Sequence, residues 1–319
     1  MKLEDKIYVA GDHGLVGSAL VRQLRVRGHV NLVVRAHREL DLTDQNEVRE
    51  FFAQERPEHV FLAAAKVGGI LANSTYPAEF ISQNLLIQTN VIQEANRTGV
   101  KRLLFLGSSC IYPKHASQPI KEEYLLTGPL EPTNRAYAVA KIAGIEMCRS
   151  FNIQYGTRFL AAMPSNLYGP GDHYDLDNCH VIPALIRKMH EAKLSGADQV
   201  AIWGTGQPRR EFLFSDDAAN ACVFLMTLSD EELDAILVNA HSLPIVNVGC
   251  GNDVSIRRLA ELVAEVVGFC GSLVFDTSKP DGTLQKVLDI SVLAGMGWRP
   301  STGLQEGLAR TYQDLLARL

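Results

Sequence analysis

Three observations predict a doubly wound α/β fold with a mostly parallel sheet. A short apolar strand, Ile7-Tyr8-Val9-Ala10, runs into the turn Gly11-Asp12-His13-Gly14-Leu15-Val16-Gly17 and then a helix. Strand-like and helix-like segments alternate through the first half of the chain. A strand ending in Gly107-Ser108-Ser109-Cys110 is followed by a helix carrying Tyr137 and Lys141, one turn apart.

Ser18 to Arg27 reads as the first helix, with Leu20, Val21 and Leu24 on its apolar face. Gly11 permits the tight turn, Gly14 lets backbone approach a pyrophosphate, and Gly17 lets the helix lie close to the strand. Free N–H groups and the positive dipole end at the helix start suit phosphates. An ordinary glycine turn would use the same residues, but the flanking strand and helix favour a dinucleotide. Val30 to Val34 reads as the second strand. An NAD site usually has an acidic residue near this strand end, on the ribose 2′-hydroxyl. Arg35, His37 and Arg38 follow instead, and cations suit a 2′-phosphate. NADP(H) is the expected cofactor; the alternative is a set of solvated loop charges.

Val60 to Ala65 reads as a buried strand, Pro77 to Thr98 as a long helix or helix pair, and Arg102 to Leu106 as the strand before the serines. Tyr137 to Tyr155 is expected to be helical and Arg158 to Ala162 extended. From Pro170 to Arg210 the rhythm loosens into an expected substrate loop region. Ala218 to Met226 reads as a helix returning to the first domain, and Ile245 to Val248 as another sheet strand. Ser255 to Val267 and Leu304 to Leu319 read as amphipathic helices. The expected organisation is a dinucleotide-binding domain over 1–169, with returning segments near 211–250, interleaved with a mainly substrate-binding domain over 170–319.

On a helix, Tyr137 and Lys141 share a face. The ammonium is expected to lower the phenol's pKa toward working pH, and a serine hydroxyl at a neighbouring strand end would complete a proton relay. That chemistry moves a proton while a hydride moves elsewhere. A Tyr-x3-Lys pair is common by chance, so its meaning rests on the N-terminal turn.

The chain has 319 residues, 46% hydrophobic and 21% charged, which fits a soluble protein of roughly two domains. A net charge of −5 without a basic stripe argues against nucleic acid as a partner. No apolar run is long enough for a membrane span, and no leader pattern stands before the first strand. The six cysteines are scattered, which suits reduced thiols in the cytoplasm. Cys179-His180 has no companions at zinc spacing, so no metal is expected.

Together these segments resemble the extended short-chain dehydrogenase/reductase family, and within it the epimerase-reductases of GDP-linked 4-keto sugars. The likeness spans nearly the whole chain. It is most specific in Leu62 to Ile70, Leu106 to Pro113, Met163 to Pro170 and Lys279 to Thr283. It implies Ser108, Tyr137 and Lys141 as the catalytic triad, and Cys110 with His180 as an acid/base pair for epimerisation. It implies conversion of GDP-4-keto-6-deoxy-D-mannose to GDP-L-fucose, by inversion at C3 and C5 and NADPH-dependent reduction at C4. Related GDP-4-keto sugars, of the colitose or heptose type, are the alternative. Related dehydratases carry an Asp-Glu pair where this chain has Ser109-Cys110. By themselves, Cys110 also suits a buried small hydrophobe and His180 a helix cap. Intact Ser108, Tyr137 and Lys141 argue against a regulator that has lost catalysis.

The resemblance further implies a cofactor site of Gly11, His13, Gly14, Leu15, Val16, Gly17, Arg35, His37, Arg38, Asp41, Leu42, Ala63, Ala64, Leu106, Gly107, Lys141, Pro164, Asn166, Leu167 and His180. Substrate contacts would come from Ser108, Ser109, Cys110, Tyr137 and Asn166, with Trp203 stacking on guanine, Arg210 on the diphosphate beside Arg187 or Lys188, and Asp281 on guanine or ribose. His13, His37 and Lys188 stand where many family members have arginine. A homodimer through the helices Pro77 to Thr98 and Arg135 to Tyr155 is also implied.

Overall fold

The computed structural model describes residues 1–176, 179–237, 243–279 and 281–319. Pro280, within one of the resemblance segments, lies outside the described residues. In chain order the elements are β1 (Ile7–Ala10), α1 (Leu15–Val26), β2 (Leu32–Val33), α2 (Gln45–Glu55), β3 (His59–Leu62), α3 (Ile70–Thr75), α4 (Pro77–Arg97) and β4 (Arg102–Leu106). Next come α5 (Arg135–Tyr155), β5 (Phe159–Pro164), β6 (Asn166–Tyr168), α6 (Val181–Ser195), β7 (Gln199–Trp203), β8 (Arg209–Phe214), α7 (Ser215–Thr227), α8 (Asp230–Leu237) and β9 (Ile245–Val248). The chain ends with β10 (Asp253–Ser255), α9 (Ile256–Val267), β11 (Ser272–Asp276), β12 (Gln285–Lys286), α10 (Ser291–Gly295) and α11 (Leu304–Arg318).

Six parallel strands form the main sheet in the order β2-β1-β3-β4-β5-β9. Successive residues of β1 serve two cores, as the period of a strand requires. Tyr8 and Ala10 face one with Phe52, Val91 and Phe105; Ile7 and Val9 face the other with Leu20, Leu104 and Ala219. Helices α2, α4 and α5 cover the first face, and α1 and α7 the second. Each fully buried Leu, Ile or Phe contributes roughly 1.5–3 kcal/mol of hydrophobic burial. Strand order reverses at β1, so the carboxyl ends of β1, β3, β4 and β5 open onto one crevice.

A third core lies beyond the sheet. Helices α6, α9 and α11 enclose Ile186, Met189, Val263 and Leu308 against Ile202 and Phe212. Strand β8 pairs with β6, β10 and β12, while β7 pairs with β11. Among the described residues, no helix is long and apolar enough to cross a membrane.

Several elements differ from the sequence expectation for physical reasons. Helix α1 starts at Leu15, inside the glycine turn, because Gly14 is its N-cap. Strand β2 is only two residues, since it is an edge strand paired to β1 alone. Strand β3 stops at Leu62, and Ala63 and Ala64 bend over Gly11. Pro77 begins a single helix, α4, where its missing N–H costs nothing. The expected loop region from Pro170 to Arg210 contains α6, fifteen residues long, and β7.

Candidate active site

The crevice over β1 is shaped by two glycines. Gly11 has φ +86°, and a Cβ there would stand 2.7 Å from the Ala64 nitrogen. A Cβ on Gly17 would stand 2.0 Å from the Gly11 carbonyl oxygen. Gly14 differs: its nearest neighbour for a Cβ would be 3.4 Å away, so its missing side chain leaves open space rather than packing. Gly14 caps α1 without a side-chain bond, and the N–H groups of Leu15, Val16 and Gly17 find no acceptor among the described residues. This is a cradle for an anion at a helix start. His13 sits at its rim, 3.0 Å from Asp12.

The cations beyond β2 are not equivalent. Arg35 donates to Val34 O at 2.8 Å, pairs with Glu55 at 2.5 Å and lies over the Phe51 ring. Arg38 is exposed and makes no ion pair among the described residues. His37 is exposed, 4.0 Å from Asp41, and Asp41 also braces Thr43. Leu42 is buried, its carbonyl accepting from Asn90. Arg38 is thus left open to an anion, whereas Arg35 is shared with Glu55. Ala63 and Ala64 follow β3, Leu106 ends β4 before Gly107, and Pro164 ends β5 just before Asn166 and Leu167 of β6, all at the carboxyl ends of the sheet. Asn166 donates to Glu211 O at 2.8 Å, which joins β6 to β8.

Strand β4 delivers Ser108, and α5 delivers Tyr137 and Lys141. Lys141 is buried, donates to Leu106 O at 2.7 Å, and stands 4.6 Å from the Phe105 ring centroid and 5.8 Å from that of Tyr137. Burial lowers its pKa to about 8. The Ser108 side chain lies beside both the Tyr137 phenol and the Cys110 thiol and acts to lower the pKa of each. Cys110 N donates to Ser108 Oγ at 3.4 Å. The phenol's pKa is not lowered, as expected from Lys141, but raised: burial dominates, a Cys110 charge adds to it, and Ser108 only partly offsets both. The intact phenol is a proton donor. Ser109 is buried beneath the turn.

Cys110 and His180 come from different parts of the fold. Burial raises the Cys110 thiol, opposed by Lys286, Ser108 and Lys141. His180 occupies the N-cap position of α6, yet its side chain makes no capping bond and is open to solvent. Surrounding protein lowers its pKa, so the neutral imidazole is favoured.

The residues expected to bind substrate divide into groups. Lys188 and Lys279 flank the exposed Trp203 ring, at 5.6 and 5.5 Å from its centroid. Arg187 turns elsewhere: it pairs with Glu191 at 2.7 Å and donates to Tyr174 O at 2.9 Å. Arg210 is half-buried and donates to Arg209 O. The Asp281 carboxylate accepts from Thr205 N and Thr205 Oγ1, at 2.9 and 2.7 Å. It braces a turn before it can meet a ligand.

Sequence reasoning missed Lys286 and Glu211. The buried Glu211 carboxylate accepts from Cys250 N, Gly251 N and Leu288 N, at 2.6, 2.7 and 2.8 Å. Glu211 follows Arg209 and Arg210 in sequence, so no local pattern marked it as the buried one of the three. Of pockets away from the crevice, one of about 410 Å³ lies between Cys250 and Pro300–Leu304.

A family model described as the NAD dependent epimerase/dehydratase family matches residues 7–240. A putative GDP-L-fucose synthase 2 of Arabidopsis thaliana is 58% identical, over 97% of this chain and 90% of its own length. The GDP-L-fucose synthase of Escherichia coli K12 is 53% identical, over 98% of this chain and 97% of its own. Among solved structures, a GDP-mannoheptose C4 reductase from Campylobacter jejuni with NADP bound superposes with a TM-score of 0.91 at 41% identity, covering 99% of each chain. The chain belongs to the NAD dependent epimerase/dehydratase family, on its GDP-L-fucose synthase branch.

Proposed function

We propose that the protein converts GDP-4-keto-6-deoxy-D-mannose to GDP-L-fucose, inverting C3 and C5 and then reducing C4. One observation carries this reading: the Ser108 hydroxyl adjoins both Tyr137 and Cys110. A single donor thus serves a reducing couple and a proton-exchange group at one carbonyl. The branch relatives support the same reading.

Protons at C3 and C5 are acidified by the C4 ketone. Ser108 and Tyr137 hold the C4 oxygen and stabilise the enolate, as an oxyanion hole does. Cys110 and His180 exchange protons on opposite faces of the ring. After both inversions Tyr137 protonates the C4 oxygen, and Lys141 replenishes the charge balance beside it. NADPH, when bound, supplies the hydride for C4. The open amides at Leu15 to Gly17 would hold its pyrophosphate, and Arg38 with Arg35 its 2′-phosphate. Trp203, Lys188, Arg210 and Asp281, from the 170–319 portion, would bind the GDP half.

The protein is expected to pair with a second copy through α4 and α5, where Leu86, Val139, Ile153 and Tyr155 are exposed apolar residues. Its six cysteines are all free, which suits the cytoplasm. Incubation with GDP-4-keto-6-deoxy-D-mannose and NADPH in deuterated water tests the activity. NADPH loss and deuterium at C3 and C5 of GDP-L-fucose are expected. No turnover of this sugar, with turnover of a GDP-4-keto heptose or dideoxy sugar, would replace the substrate and keep the chemistry.

A further inference from the structure

Asn247 is fully buried on β9, the edge strand next to β5. A buried amide needs partners, and each polar atom of this one has them. Its Nδ2 donates to Ile120 O at 2.9 Å and to Asp289 O at 3.1 Å. Its Oδ1 accepts from the Tyr112 hydroxyl at 2.7 Å. Its backbone N–H donates to Glu122 Oε1 at 2.9 Å. Two carbonyls demand a donor and the hydroxyl can supply one, so an amide fits here and a carboxylate does not.

The partners lie on segments that meet at the site. Tyr112 closes the single helical turn Ser109–Ile111, which begins from Ser108. Ile111 N donates to Ser108 O at 3.2 Å and Tyr112 N to Ser109 O at 3.4 Å, so the buried Tyr112 ring is tied to the turn that carries Cys110. On the other side, Asp289 lies just beyond β12. Asp289 N donates to Ile120 O, and Ile120 N to Val287 O, each at 2.8 Å. Between them, Leu288 N donates to Glu211 Oε2 at 2.8 Å. Glu211 follows Arg210 in β8, and β12 pairs Lys286 with Arg210. A continuous run of hydrogen bonds thus leads from the Cys110 turn, through Asn247, to the strand that bears Arg210. Tyr137 and Lys141 stand outside this run, on α5, where Lys141 is bonded to Leu106 O.

We propose that Asn247 is a positioning residue. Through the Tyr112 hydroxyl it fixes the turn that places Cys110, and it keeps that turn in register with the strand bearing Arg210. This rests on the epimerase reading. Cys110 must meet a C–H bond of a sugar whose diphosphate is anchored on β8. Such a transfer tolerates little displacement, and an error of ~1 Å costs about 10²-fold. Hydride transfer at C4 relies on the separately held Tyr137 and Lys141, so it feels the loss of this tie much less.

The test compares two reactions in wild type, Y112F, N247A and the double variant. One is deuterium entry at C3 and C5 of GDP-4-keto-6-deoxy-D-mannose. The other is reduction of NADP by GDP-L-fucose, the reverse of the hydride step, which needs no proton exchange at C3 or C5. Folding is checked by Tm and NADPH binding. Y112F removes one hydroxyl and keeps the ring; it should slow exchange about tenfold and the reverse hydride step less than about threefold. N247A should slow exchange further. In the N247A background Y112F should add less than about twofold, because the hydroxyl acts through Asn247. Equal loss of both reactions would mark a merely structural network and overturns the proposal. So does wild-type exchange in Y112F, or losses that multiply in the double variant. If N247A does not fold, the ratio of the two rates in Y112F decides alone. Exchange is read first in wild type; its absence there would sink the epimerase reading, and this proposal with it, before any variant is compared.

Discussion

The two walls of the cleft are built on opposite plans. On the sheet wall, Ser108, Tyr137 and Lys141 follow directly from a strand end and a helix face, and backbone fixes them: Lys141 is buried and bonded to Leu106 O. On the facing wall, Trp203 is 67% exposed, and long side chains surround it. Many groups there already have partners, Arg187 in Glu191 and Asp281 in Thr205. A dry, rigid wall suits chemistry, where small displacements cost rate. A wet wall of adaptable charges suits recognition, where exposed pairs are worth little and exchange readily. Changes on the first wall should act on kcat and those on the second on KM.

The largest effect is expected from the pair Tyr137→Phe and Cys110→Ser. Loss of the phenol should cut NADPH oxidation by about 10²–10⁴, with deuterium exchange at C3 and C5 reduced much less. Cys110→Ser should do the reverse to exchange. Stopped-flow absorbance and proton spectra of the sugar separate the two. Equal losses of both steps in both variants would mean that the shared Ser108 contact does not divide the labour.

Within the sheet wall, Gly17 and Gly14 sharpen the contrast between packing and binding. Gly17→Ala places a methyl 2.0 Å from a backbone oxygen and should cost about 3 kcal/mol or more of stability, read as a lower Tm. Gly14→Ala meets only one atom, at 3.4 Å. It should leave Tm within a degree or two and weaken NADPH binding about tenfold. A Tm loss as large as that of Gly17→Ala would show that Gly14 is a packing residue.

The same division explains what could be read in the chain. The glycine turn and the Tyr137–Lys141 face are set by neighbours in sequence, so local pattern reveals them. Arg35 looked like a free cation because its partner, Glu55, lies on α2, which the strand-and-turn reading passed over. Lys286 was invisible for a related reason. Its strand is two residues long and exists only through pairing with β8. The upward shift of Tyr137 was also illegible, since burial depends on the assembled walls and not on the spacing to Lys141.

A pH profile probes the dry wall without a mutation. The pKa of Lys141 falls to about 8, so it is cationic below that pH and neutral above it. The reduction step should hold level below about pH 8 and fall as pH rises, approaching tenfold per pH unit. Loss of the Tyr137 proton would slow the step in the same direction but only at far higher pH, because its phenol is pushed up. Single-turnover NADPH oxidation from pH 6 to 10 gives the profile. A rate that climbs through pH 8 would mean that a neutral Lys141 suffices.

The smallest effects should come from the wet wall, and there two arginines can be ranked. Arg210 is half-buried, close to Lys286 and Asp281, and among the described residues carries no carboxylate bonded to its guanidinium. Arg187 is held by Glu191 and by Tyr174 O. A diphosphate can recruit Arg210 at little cost, whereas Arg187 must first exchange a carboxylate that already satisfies it. Arg210→Ala should therefore raise the KM for the GDP-sugar about tenfold with kcat nearly intact, the size of one charge-assisted contact. Arg187→Ala should raise it less than about threefold, since an exposed pair is worth at most about 1 kcal/mol. Initial-rate kinetics on both variants decide the order. If Arg187→Ala has the larger effect, the ligand displaces Glu191 on binding, and the facing wall is less fixed in its pairings than its free geometry implies.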